Sequence, residues 1–233
     1  MSCEVKGIRS DELNHLSSPG DPASMAAATP ALTKRLFEPA LEQSVDPFAL
    51  FRHWLDAATE TEPNDPNAMA LATSTPEGHP NVRMVLMKRL DERGFSFYTN
   101  GQSQKGEELT ANPYASACFH WKTQRRQVRI QGPVLQLPAA DADQYFHSRS
   151  RGSQIAAVAS YQSHPLLSRE ALEVAAEALA HQFPGEIPRP PQWLGFLIQP
   201  QRIEFWQDGR DRLHDRMLFT RDGDAWVRTR LYP

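Results

Sequence analysis

The stretch AMALATSTPEGHPNVRMVLMKRLDERGFSFYTN, residues 68–100, decides the fold. Three strand-length apolar segments, Ala68–Thr75, Val82–Leu90 and Phe95–Thr99, are parted by Pro76-Glu77-Gly78 and Asp91-Glu92-Arg93-Gly94. Both spacers are turn sequences, since Pro presets φ and Gly supplies positive φ. Connections so short join antiparallel neighbours. Working outward, Ala115–Trp121, Gln127–Leu137, Leu194–Ile198, Ile203–Gln207, Arg212–Thr220 and Trp226–Arg230 carry the same strand pattern. Helical spacing is confined to the flanks. Asp46-Pro47 is a start signal, followed by Phe48, Phe51, Leu55 and Ala58 on one face with Trp54 beside them. Residues 103–111 form a short helix ended by Asn112-Pro113, and 139–148 and 168–182 form two more, the last capped by Ser168. Many strands with few helices predict a mainly β fold, an antiparallel barrel with helices packed outside.

Composition narrows the class. At 233 residues the chain can bury a core without a disulfide or metal staple. Its 25 basic and 28 acidic residues leave −3, which excludes bulk-charge binding of nucleic acid or an anionic membrane. Twenty of the basic residues are Arg, and their distribution is uneven: net −6 through Asn67 and net +3 beyond. Arg enrichment suits bidentate recognition of phosphate or carboxylate, though codon usage explains it as well. Cys3 and Cys118 make neither a disulfide framework nor a zinc knuckle, which fits a reducing cytoplasm with Cys118 as a small core residue. No apolar run approaches a membrane span, and the acidic amino terminus is unlike a secretory signal. Residues 1–45, rich in Ala, Ser, Pro and acid, are expected to be a disordered arm, leaving 46–233 as one domain.

Several chemistries are missing. None of the twelve glycines stand two apart, so GxGxxG cannot occur, and Walker A, GxSxG and HExxH are absent too. What remains is a set of short cationic motifs. Strand alternation over Arg212–Arg216 puts Arg212, His214 and Arg216 on one face, which is either a solvated face or an anion site. Trp206 belongs to the core or stacks on a planar ligand. Arg83 and Lys88 bracket an apolar strand and, on ideal geometry, point to opposite faces. Arg125, Gln127, Arg129 and Gln131 alternate with Val128 and Ile130. Ser103-Gln104-Lys105-Gly106 opens a helix, where amides, a Lys and a hydroxyl suit a phosphate or simply a cap. Residues 145–154 concentrate Tyr, Arg and Ser in a turn-prone stretch, suited to a phosphate monoester or to an exposed helix end.

The wording and order of these motifs resemble one family. RMVLMK (83–88), FYTN (97–100), SQKG (103–106), RQVRIQG (126–132), YFHSRSRGSQI (145–155), YQS (161–163), IEFWQ (203–207), RLHDR (212–216) and the closing RLYP are similar to the pyridoxine/pyridoxamine 5′-phosphate oxidases from about Asp46 to Pro233. The resemblance implies a homodimeric split β-barrel with FMN at the subunit interface. It implies that Arg83 and Lys105, with Ser163, hold the FMN phosphate. Met84, Val85, Leu86, Met87, Lys88, Tyr98, Thr99, Gln104, Gln127, Gln162, Trp206 and Arg216 would line the flavin. Lys88, Tyr145, Arg149 and Ser153 would take the substrate phosphate, with Arg212, Leu213 and His214 at its ring. Arg212 and His214 would orient the substrate and assist proton removal. Arg83 and Lys88 on opposite faces would then serve two different phosphates.

Three features depart from the family pattern. Gln104 stands where many members have Arg, and Val158 replaces a common Trp. The basic segment that closes over substrate in some members has only Lys34-Arg35-Leu36-Phe37 as its nearest candidate. Three rival functions are distinguishable. A phenazine-type oxidase should lack the full substrate-phosphate set, and a flavin-storage protein would not need RLH. A nucleic-acid module would show one basic stripe with exposed aromatics rather than separate motifs.

Overall fold

The computed structural model describes residues 46–233, so the expected arm at 1–45 lies outside the described residues. Helix α1 (Pro47–Thr61) starts as its sequence predicts: Asp46 Oδ1 accepts from the Phe48 amide at 2.9 Å. Its apolar face, with Phe48, Leu50, Phe51, Trp54 and Ala58, is buried. Phe51 meets Phe95 and Phe119 edge-on, each at 4.9 Å, which ties the helix to two strands. Burying each such side chain contributes roughly 1.5–3 kcal/mol.

Ten strands follow among the described residues: β1 (Ala68–Ser74), β2 (Pro80–Leu86), β3 (Arg89–Asp91), β4 (Gly94–Asn100), β5 (Tyr114–Trp121), β6 (Arg126–Gln136), β7 (Trp193–Ile198), β8 (Arg202–Gln207), β9 (Asp215–Asp222) and β10 (Ala225–Leu231). Every pairing is antiparallel. One path runs β10-β9-β8-β6-β5-β1-β2, and a second runs β3-β4-β7-β6, so the sheet curls into a split barrel around β6. The two halves of β6 have different partners. Residues 126–131 pair with β8, whereas 134–136 pair with β7. Gly132 sits between them, where a Cβ would lie 1.9 Å from the Gln199 carbonyl oxygen. Only glycine lets the two chains approach that closely. The predicted alternation along β6 holds, with Val128 and Ile130 fully buried.

Four further helices are α2 (Gln104–Ala111), α3 (Ala139–Ser148), α4 (Arg151–Ala159) and α5 (Arg169–Gln182). A small second core of Ala142, Phe146, Ile155, Ile187 and Trp193 fastens α3 and α4 to β7, with Val158 packed against it. Cys118 on β5 is half-buried rather than a full core residue.

Three segments differ from their sequence reading. The segment 82–90 is two strands, because Asn67 binds both sides of Met87: its carbonyl accepts from the Met87 amide at 2.9 Å and its Nδ2 donates to the Met87 carbonyl at 2.8 Å. Residues 145–154, read as turn-prone, end α3 and begin α4, which is capped by Ser150 accepting from the Ser153 amide. Finally, Arg212 is not in a strand. It ends a 3-10 turn (Arg210–Arg212), and β9 begins only at Asp215.

Candidate active site

A cavity of about 1160 Å³ opens between β2, β4, α2 and the α3–α4 pair. Arg83, Met84, Val85, Leu86, Lys88, Tyr98, Thr99, Gln104, Lys105, Tyr145, Arg149, Ser153, Gln162 and Ser163 all line it. Fragments spread over eighty residues of sequence therefore share one wall. Arg83 on β2 and Lys88, beyond the break at Met87, both line this cavity, as do residues from both faces of β2 between them. Met87 itself points into the main core at 5% exposure and does not line it.

One end of the cavity gathers two held cations. Lys105 Nζ donates to Gln162 Oε1 at 2.8 Å, Ser103 Oγ at 3.0 Å and Thr99 Oγ1 at 3.1 Å. Burial, and next the Arg83 charge, push its pKa down to about 8, while Glu108 pulls the other way. Ser103 stands at the helix start as expected, yet its hydroxyl serves the Asn100 carbonyl and Lys105 instead of capping α2. Arg83 Nη1 donates to Thr73 Oγ1 at 2.5 Å and to the Leu71 carbonyl at 3.2 Å, while Nη2 reaches Glu108 at 3.4 Å. The buried Glu108 carboxylate also accepts from Asn81 at 2.6 Å and from the Thr73 hydroxyl. Both cations are thus oriented by neutral or anionic groups, a preorganised anion site. Ser163 holds a left-handed φ of 72° at the rim.

The other end is aromatic. Tyr98 stacks on Tyr145 at 4.3 Å and on Trp193 at 5.4 Å. The Arg149 guanidinium lies 5.2 Å over the Trp193 ring, and Lys88 Nζ lies 5.9 Å over Tyr145. Arg149 Nη1 is buried without a partner among the described residues, and burial lowers the guanidinium pKa. Burial likewise raises the Tyr98 phenol. A buried donor with nothing to bind is costly, and a ligand oxygen would satisfy it.

The remaining expected residues form a second group that does not line this cavity. Gln127 pairs with Trp206 across β6–β8, and Trp206 with Arg216 across β8–β9, so the three make one cross-strand row. His214 lies 4.8 Å from the Trp206 ring. Arg216 binds Glu204 at 2.7 Å and the Tyr232 carbonyl at 2.9 Å, beside a cavity of about 240 Å³. Arg212 and Leu213 are exposed. Asp211 and Arg212 take consecutive left-handed φ values of 55° and 63°, so the expected shared strand face of Arg212, His214 and Arg216 does not form. Conformations of this kind cost about 1–3 kcal/mol each and concentrate at functional sites.

Some participants escaped the sequence reading. Glu108 stands three residues after Lys105 on α2, so helical periodicity alone puts them on one face. Trp193 and Asn81 carry no local signal. Among the described residues no group of three His, Cys, Asp or Glu could hold a metal, and no helix is long and apolar enough to cross a membrane.

A split barrel with a cation-rich, aromatic-walled cavity is a recognisable class of protein. The chain belongs to the pyridoxamine 5′-phosphate oxidase family: residues 55–183 match the family model of that description, and 193–233 match the pyridoxine 5′-phosphate oxidase C-terminal dimerisation region. Similar proteins include the pyridoxine/pyridoxamine 5′-phosphate oxidase of Gluconobacter oxydans, 56% identical over 84% of this chain and 98% of that protein. The same-named protein of Brucella canis is 58% identical over 82% of this chain and 96% of its own length. Among solved structures, PhzG from Burkholderia lata 383, in complex with tetrahydrophenazine-1-carboxylic acid, is 34% identical with a TM-score of 0.79, covering 84% of this chain and 97% of its own. A pyridoxamine 5′-phosphate oxidase-related, FMN-binding protein of Nostoc punctiforme shares the fold, with a TM-score of 0.67 at 18% identity, over 82% of this chain and all of its own.

Proposed function

We propose that this chain is an FMN-dependent oxidase that converts pyridoxamine 5′-phosphate and pyridoxine 5′-phosphate to pyridoxal 5′-phosphate, with oxygen as acceptor. The observation that carries this reading is the presence of two separate cation sets in one cavity, Arg83 with Lys105 and Lys88 with Arg149. A cofactor and a substrate that each bear a phosphate need two such sets.

The residues fit FMN. Lys105, Arg83 and Ser163 offer charge and donors to a phosphate, and the apolar edge Met84–Leu86 suits a planar ring system. Bound there, FMN would supply the acceptor for a hydride from the substrate C4′ carbon and the route of those electrons to oxygen, while water would complete the amine's conversion to aldehyde and ammonia. Arg149, with its unpartnered Nη1, and Lys88, Tyr145 and Ser153 grip the substrate phosphate. Arg212 and His214 orient the ring, and His214 takes the proton given up at the C4′ amine or hydroxyl group. Positioning of this kind can lower a barrier by several kcal/mol.

His214, Arg212, Trp206 and Arg216 reach a ligand in that cavity from the second subunit of a homodimer. Two facts support this. All four lie within the 193–233 segment, which matches a dimerisation region. Val82 and Met84, flanking Arg83, are 68% and 65% exposed, an apolar edge suited to cover by a partner.

The test is direct. The purified protein should be yellow, and aldehyde and peroxide should form from each vitamer phosphate. A colourless protein that gains no activity with added FMN overturns the proposal. Turnover of a tricyclic aromatic acid in place of both vitamers would favour a phenazine-type oxidase. Peroxide formation from the vitamers excludes a storage role.

A further inference from the structure

Arg189 lies between α5 and β7, and no motif in the sequence singles it out. Its neighbours include Pro184, Pro188, Pro190 and Pro191, each with a fixed φ, so this connection is stiff. The Arg189 side chain is turned inward, at 11% exposure. Its Nε donates to Asp143 Oδ1 on α3 at 2.5 Å, and its Nη1 donates to the carbonyl of Trp193, the first residue of β7, at 2.7 Å. One guanidinium thus ties a helix to a strand far from it along the chain. His147, one turn further along α3, makes a second link to the same connection. Its ring nitrogens lie 2.8 Å from the Asp143 carbonyl oxygen and 3.2 Å from that of Ile187.

These links frame Arg149. The Arg149 guanidinium lies 5.2 Å over the Trp193 ring and 6.0 Å over the Phe146 ring, and its Nη1 has no partner among the described residues. Phe146 belongs to α3 and Trp193 to β7, and the two rings meet edge-on at 5.3 Å. Ring faces hold a cation over a broad range of distance. Bonds from a guanidinium to phosphate oxygens form only over a narrow one, about 2.7–2.9 Å. Where Arg149 stands is therefore decided by where the two rings stand, and the Arg189 link sets the spacing of α3 from Trp193.

The geometry points to Arg189 as a positioning residue for the substrate phosphate: by tying α3 to Trp193 it places Arg149 at bonding distance from a phosphate oxygen. This rests on the role of Arg149 proposed above. Arg189 itself touches no ligand, since the cavity wall holds Trp193 and Arg149 but not Arg189.

The probe is 4-deoxypyridoxine 5′-phosphate, which keeps the ring and the phosphate but has no amine or hydroxyl group at C4′. Its Kd for the FMN-loaded protein, read by calorimetry, should rise about tenfold in Arg189→Met. KM for both vitamer phosphates should rise with it while kcat changes little. In a Trp193→Leu background the same substitution should add less than about twofold, because the ring through which Arg189 acts is gone. A residue that merely stabilised the fold would weaken binding by the same factor in both backgrounds. Asp143→Asn removes one of the two anchors at a half-exposed site and should weaken probe binding about threefold. It carries the measurement should Arg189→Met fail to fold. An unchanged Kd in both single variants, or equal factors in the two backgrounds, overturns the assignment of Arg189. An unsubstituted protein that takes up FMN yet neither binds the probe nor oxidises either vitamer overturns the functional reading itself, and the role of Arg189 with it.

Discussion

Arg83 and Glu108 are joined twice. Arg83 Nη2 lies 3.4 Å from Glu108 Oε2, and that oxygen accepts from the Thr73 hydroxyl, which in turn accepts from Arg83 Nη1 at 2.5 Å. The three side chains close a ring linking β1, β2 and α2. Glu108→Ala breaks it and strands three donors that are buried or half-buried. The expected loss is about 2–4 kcal/mol of stability, with FMN held at least about tenfold more weakly because Arg83 is freed. Chemical denaturation and a flavin-fluorescence titration measure the two effects separately.

Lys105 gives FMN affinity a pH dependence. Its pKa of about 8 means that the cation an anionic ligand needs is present below that pH and lost above it. Binding of a phosphate group should therefore take up a proton above pH ~8, with affinity falling by up to about tenfold per pH unit. Lys105→Met should bind weakly with a flat profile across the same range. Folding stability without FMN runs the other way. The unfolded chain holds this proton more tightly, so stability rises with pH between about 8 and the ordinary Lys value. Titrations from neutral to alkaline pH check both signs.

Gly132 and Gly78 make a matched pair for testing the split of β6. A Cβ at 132 would lie 1.9 Å from a backbone oxygen, whereas at 78 nothing lies within 4 Å but φ is +88°. Gly78→Ala should cost about 1 kcal/mol through backbone strain alone. Gly132→Ala must force β6 away from the β7–β8 connection and should cost more than about 3 kcal/mol. Thermal melts of the two variants, compared with the unsubstituted protein, decide it.

Trp193 braces the aromatic end. Trp193→Leu removes the ring under Arg149 and the stacking surface of Tyr98, worth about 0.5–2 kcal/mol per contact. KM for the phosphorylated substrates should rise about tenfold while kcat changes little. Steady-state kinetics with saturating FMN provide the check.

Local sequence located the strands well wherever side-chain alternation meets a buried face. Val128 and Ile130 against Gln127 and Arg129, or Asp46 ahead of Phe48, can be read from neighbours alone. The failures share a cause in contacts distant along the chain. Asn67 breaks the 82–90 strand from twenty residues away, and that break falls between Arg83 and Lys88, which line one cavity. Likewise the turn at 210–212 depends on Gly209: a Cβ there would stand 2.0 Å from the Leu213 carbonyl oxygen. No periodicity announces such a turn. The cation motifs themselves were visible, but their division between a cavity and a separate cross-strand row was not, because parity along one strand says nothing about which wall it joins.

That division has a genetic consequence. A chain crippled at Lys105 keeps an intact His214 row, and a chain crippled at His214 keeps an intact Lys105 cavity. With the His214 row entering the partner's cavity as proposed, neither homodimer should work, whereas a mixed pair would assemble one sound centre from the two healthy halves and one doubly damaged centre from the others. Random reassortment of equal amounts should restore about a quarter of the original activity. Two null alleles of this gene could therefore complement each other within one cell, and a map of which alleles do so would trace the boundary between the two halves of the site.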